Sequence, residues 1–65
     1  MEDAEIIKAE IKKLNARATQ LKMDLHDLSE ELPVNWERIP EVAAETHAAY
    51  EKLTAARQKL AAIGN

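Results

Sequence analysis

The chain has no cysteine and no phenylalanine, and among its 65 residues it holds one glycine, two prolines, one tryptophan and one tyrosine. Without cysteine there are no disulfides, no thiolate metal sites and no thiol nucleophile, which fits a reducing compartment. So short a chain buries a small core and ordinarily needs a staple, and with disulfides gone that leaves association or a metal. No apolar run approaches the roughly 20 residues of a membrane span, and the opening Met1-Glu2-Asp3-Ala4 lacks the basic and apolar regions of a signal peptide. A block of lysine or arginine is missing as well, with a net charge of −3, so neither nucleic acid nor a membrane is expected as a partner. A soluble cytoplasmic protein is the expectation.

What is present is a repeat interrupted once. Both prolines fall in Leu32-Pro33-Val34-Asn35-Trp36-Glu37-Arg38-Ile39-Pro40, where Asn35 suits an N-cap. Before it, Ala4, Ile7, Ile11, Leu14, Ala18, Leu21, Leu25, Leu28 and Leu32 recur alternately three and four apart. After it, Ile39, Val42, Thr46, Ala49, Leu53, Ala56, Leu60 and Ile63 do the same, with Thr46 the only polar member. These are the seams of two amphipathic helices. The pattern predicts a single domain, 1–65, with helix 1 over about 3–32, a turn over about 33–40 and helix 2 over about 40–63. Asp3 and Glu5 suit the start of helix 1, and Gly64 suits the position just past the end of helix 2.

Two helices joined by a short turn run antiparallel. The fold class expected is therefore all-α, an antiparallel helical hairpin that dimerises into a four-helix bundle, because one hairpin leaves each seam half uncovered. A homodimer, or a higher multiple of it, follows. Helix 2 adds small residues at Ala43, Ala48, Ala55 and Ala62 that let another helix approach. Layers of Leu28 with Thr46, Leu25 with Ala49, Leu21 with Leu53, Ala18 with Ala56 and Leu14 with Leu60 are the expected internal register, and Trp36 is expected to plug the open end. A long coiled coil with a kinked middle is the rival; two prolines with an asparagine between them argue against it.

Charge is uneven. Residues 24–45 carry seven acidic side chains against Arg38 alone, whereas residues 1–23 hold five basic and four acidic, and residues 46–65 three basic and one acidic. Glu37, Glu41 and Glu45 suit a helix start, but Asp24, Asp27, Glu30 and Glu31 crowd a helix end, where the dipole disfavours anions. The sequence thus tolerates roughly 1 kcal/mol of repulsion that a cation or a basic partner would relieve. His26 and Glu30 lie one turn apart, with Asp27 beside them and Met23 a turn back. The set predicts a divalent transition metal held by His26, Glu30 and Asp27, with water or a residue of a neighbouring chain completing it; imidazole with carboxylate favours iron, nickel, zinc or copper over magnesium and calcium. His47 occupies the same position of the seven-residue repeat as His26 and aligns in that register with residues 26 and 27, so it is a further candidate ligand. The plainer alternative is that both histidines are solvated side chains. Trp36 and Met23 are candidate partner contacts. Ser29 has no pocket or oxyanion donors in prospect, and catalytic triads, phosphate loops and the paired carboxylate-histidine motif of di-iron bundles are absent, so no enzymatic activity is expected.

The stretch Lys22-Met23-Asp24-Leu25-His26-Asp27-Leu28-Ser29-Glu30-Glu31-Leu32-Pro33, followed by Asn35-Trp36-Glu37-Arg38-Ile39-Pro40-Glu41-Val42-Ala43, resembles a family of small nitrogen-fixation proteins encoded beside the nitrogenase cofactor-carrier protein NifX. The likeness runs from the first helix to Leu60. It implies a helical-hairpin dimer in nitrogen-fixing bacteria that binds metal or assists nitrogenase cofactor assembly, with another nitrogenase assembly protein as partner. His47 is less typical of that family, where an aromatic is expected. The alternative function is a metal-free adaptor that docks on another assembly protein through its acidic end or Trp36.

Overall fold

The computed structural model describes residues 3–63, so the expected cap at Gly64 lies outside the described residues. Two α-helices, α1 (Ala4–Glu31) and α2 (Ile39–Ala62), run antiparallel and are joined through a short 3-10 turn, Trp36–Arg38. The hairpin measures 47 × 15 × 13 Å. Asp3 caps α1, its carboxylate accepting from the Glu5 N–H at 2.9 Å, as the acidic start of that helix suggested.

Asn35 does not cap α2. It adopts φ 62°, the left-handed region that asparagine tolerates better than most residues, and its side chain makes no cap bond. The 3-10 turn makes a cap unnecessary: the Ile39 N–H donates to the Trp36 carbonyl, and Pro40 has no N–H to satisfy. Val34 N–H to Glu31 carbonyl at 2.9 Å and Arg38 N–H to Asn35 carbonyl at 3.0 Å draw the connection tight, with Leu32–Pro33 in cis.

Side-chain burial follows the two seams. Ile7, Ala18, Leu21 and Leu28 of α1 pack with Val42, Ala49, Leu53 and Ala56 of α2, and Ile11, Leu14, Leu25 and Leu60 are half-buried. The seam opens at its ends, where Leu32, Ile39 and Ile63 are exposed. Thr46, its one polar member, donates to the Val42 carbonyl at 2.8 Å and lies 3.4 Å from the Leu21 carbonyl.

That last contact corrects the register. Thr46 meets α1 at Leu21, not Leu28, one heptad or about 10 Å along the axis from the layers expected. The grooves between the helices agree: Leu14 shares one with Lys52, Ala55 and Ala56, and Leu14 and Leu21 share another with Ala48 and Ala49. The tight turn is the cause. With α2 starting at Ile39 its residues stand farther from the turn than the expected layers, which carries its far end over Ile7 and leaves that side chain 1% exposed. Ala18, Leu21, Ala49 and Leu53 form one buried cluster, with Ile11 and Leu14 packed against it.

Candidate functional site

The end of α1 carries the carboxylates that its dipole disfavours, with no basic side chain in its last turn. Its residues sort onto two faces because neighbours on a helix point about 100° apart. His26 and Glu30 share the outer face, with Nε2 3.4 Å from Glu30 Oε2 and both side chains about two-thirds exposed. Asp27 turns the other way. It lines a polar groove with Asp24, Leu28, Glu31 and Arg38, the one basic side chain between residues 24 and 45. Asp24 is also tied back along its own helix, accepting from Gln20 Nε2 at 3.0 Å.

Of the expected ligands the hairpin therefore pairs His26 with Glu30, sends Asp27 into the neighbouring groove and places His47 elsewhere. Residue 47 follows Thr46, which packs at the level of Leu21, so His47 lies well down the hairpin from His26. It sits on the outer side of α2, in a shallow depression with Tyr50, Glu51, Thr54, Ala55 and Gln58. The expected alignment of the two histidines across one hairpin is thus corrected by the same one-heptad shift. Among the described residues no group of three or more histidine, aspartate or glutamate side chains is placed to hold an ion. Ser29 donates its hydroxyl to the His26 carbonyl at 2.7 Å, which ties it into its own helix.

In the single hairpin Trp36 is 60% exposed, and the turn beneath it is held by backbone hydrogen bonds. Met23 is 53% exposed on α1. No helix among the described residues is long and apolar enough to cross a membrane.

Residues 2–65 match the family model described as Rop-like. A UPF0437 protein of Azorhizobium caulinodans is 57% identical over 60 residues, covering 92% of this chain and 87% of that protein. A Frankia alni relative, described as a UPF0437 protein in the nifX-nifW intergenic region, is 45% identical over 51 residues, 78% of this chain and 62% of its own length. An NMR structure of a structural-genomics target, 57% identical, superposes with a TM-score of 0.87 over 94% of this chain and 86% of that one. The chain belongs to the Rop-like family, among the UPF0437 proteins.

Proposed function

We propose that this protein is a cytoplasmic, non-enzymatic accessory protein of nitrogen fixation that works as a homodimeric helical bundle, and that the turn end of each hairpin is its working end. The tie to nitrogen fixation is supported by the Frankia relative's place between nifX and nifW. The dimer is supported by Ile11, Leu14, Leu25 and Leu60, seam residues that one hairpin covers only by half.

For the turn end, the observation that carries the reading is the His26–Glu30 pair, an imidazole nitrogen and a carboxylate oxygen 3.4 Å apart on an open face. It gives a divalent transition metal such as iron, nickel or zinc two anchoring ligands; water or a neighbouring chain supplies the rest, and that chain is the only route by which His47 joins. Asp27, on the adjacent face, contributes field rather than a bond in the conformation seen. Two exposed ligands bind weakly, so the role is capture and handover to cofactor assembly rather than storage. Calorimetric titration with each metal ion tests this: His26→Ala should stay a helical dimer and lose the heat of binding, whereas unchanged affinity places the metal elsewhere.

A second reading, a metal-free adaptor docking on another assembly protein, is favoured by a separate observation. Leu32, Val34, Trp36 and Ile39, all in or beside the turn, are exposed.

A further inference from the structure

Outside the core, eight large apolar side chains among the described residues are exposed, and four of them fall between residues 32 and 39: Leu32, Val34, Trp36 and Ile39. The other four, Ile6, Met23, Tyr50 and Ile63, are scattered along the helices. Leu32 and Ile39 end the two seams, where the proposed second hairpin packs. Val34 and Trp36, 61% and 60% exposed, lie outside the seams, and a valine beside the only tryptophan on one turn is more than the scatter of single exposed apolar residues. The turn that presents them is held by its own backbone hydrogen bonds, so a partner need not order it on binding.

The charge around this patch selects the occupant. On one side Asp24, Asp27 and Glu31 line the groove that ends at Arg38, and Glu37 lies within the turn itself. Residues 24–45 carry seven acidic side chains and one basic, so the end of each hairpin holds about six negative charges. A field of that sign repels nucleic acid, anionic lipid and the turn end of a second copy alike. It attracts an apolar surface rimmed by lysine and arginine. We propose that the turn end is a docking surface for a basic amphipathic segment of another protein, whose apolar side chains cover Val34 and Trp36 while its cations meet the carboxylates of α1 and the turn. This rests on the adaptor reading above and names the partner's chemistry.

Trp36, as the only tryptophan, reports the event. The full chain is titrated, with chelator present to remove metal ions, with a designed 18-residue amphipathic helix of leucine and lysine, and with the same peptide carrying glutamate for lysine. The lysine peptide should shift Trp36 emission to the blue and bind saturably, and the glutamate peptide should not bind. With a labelled lysine peptide followed by anisotropy, Trp36→Ala and Val34→Ser should each weaken binding by about tenfold or more, as truncation of a central contact does; circular dichroism confirms that both variants stay helical. Binding that ignores both substitutions is charge attraction alone and overturns the proposal. Equal binding of the glutamate peptide, or no binding of the lysine peptide, overturns the basic partner. The adaptor reading has its own arm: a photo-crosslinking residue at position 34 in nitrogen-fixing cells, where the absence of any protein adduct overturns docking itself.

Discussion

Because the chain has no cysteine, the register of the hairpin can be read by introducing a pair. Ala18 and Ala49 lie together in the core, 0% and 7% exposed, and neither side chain extends beyond Cβ. The alternative layering puts Ala18 opposite Ala56 instead. The two differ by seven residues of α2, about 10 Å along the axis. A disulfide tolerates Cα atoms no more than about 7 Å apart, so a single register cannot accommodate both pairs. Mild oxidation of Ala18→Cys/Ala49→Cys should give an intrachain bridge, whereas Ala18→Cys/Ala56→Cys should stay reduced or link two chains. Non-reducing electrophoresis and intact mass separate these products. Closing a loop of roughly 30 residues removes denatured-state entropy worth about 3 to 4 kcal/mol. For so small a domain that corresponds to a rise in melting temperature on the order of 15 °C, read by circular dichroism in oxidised against reduced samples. If the Ala56 pair bridges within one chain and the Ala49 pair does not, the Thr46 contact with Leu21 has been misassigned and the placement of His47 falls with it.

Three further outcomes follow from the same packing. Leu53, 2% exposed, tolerates no charge: Leu53→Asp buries an unpaired carboxylate at a cost of several kcal/mol against a total stability of about 3 to 10 kcal/mol, and a folded helical variant by circular dichroism would contradict the core described. Thr46→Val should change stability by less than about 1 kcal/mol in urea unfolding, because the Val42 and Leu21 carbonyls that its hydroxyl approaches belong to helix hydrogen-bond ladders and lose no sole partner; a larger loss would make the interhelix contact essential. Sedimentation at micromolar concentration should show a dimer or a multiple of it, and Leu14→Asp, at a half-buried seam position, should abolish it; a cooperative folded monomer of the parent chain would sink the four-helix reading.

The seams were legible in the sequence almost residue for residue, because burial is a matter of which side of a helix a residue occupies and a three-four alternation states that directly. Among the described residues, Ala43 is the one half-buried position that the alternation omits. The site was legible only as far as one turn of one helix. Spacing four apart put His26 beside Glu30, whereas adjacency in sequence put Asp27 beside His26 only on paper, since a step of one residue turns the side chain onto another face. Whether Trp36 is covered or exposed was left open by the sequence, which allowed both a plug and a partner contact. It depends on how the backbone of the turn closes, through the Arg38 N–H and the Asn35 carbonyl among others, and no periodic pattern extends through such a segment.

Register is the deeper case, since a heptad seam is nearly unchanged by a slide of seven residues. Sliding α2 by one repeat exchanges Leu21 with Leu53 for Leu14 with Leu53, and either layer packs leucine on leucine. Hydrophobic pattern therefore constrains the face of each helix strongly and its axial position weakly. The deciding terms lie at the ends, where a slide is not compensated. With α2 beginning at Ile39, Ile7 is covered to 1% exposure; the slid arrangement would carry α2 away from it and leave that side chain in water, a loss of about 1.5 to 3 kcal/mol. It would also require a longer connection than the one that the Val34 and Arg38 N–H groups close. A few kilocalories at the two ends thus select the register, and with it the position of every side chain on one helix relative to the other. His26 and His47 share a position in the repeat and still stand apart along the hairpin, so a metal that binds both must be shared between chains. Occupancy of such a site should fall on dilution as dimers dissociate, whereas binding at His26 and Glu30 alone should not depend on protein concentration, and calorimetry across a hundredfold range of protein concentration distinguishes the two.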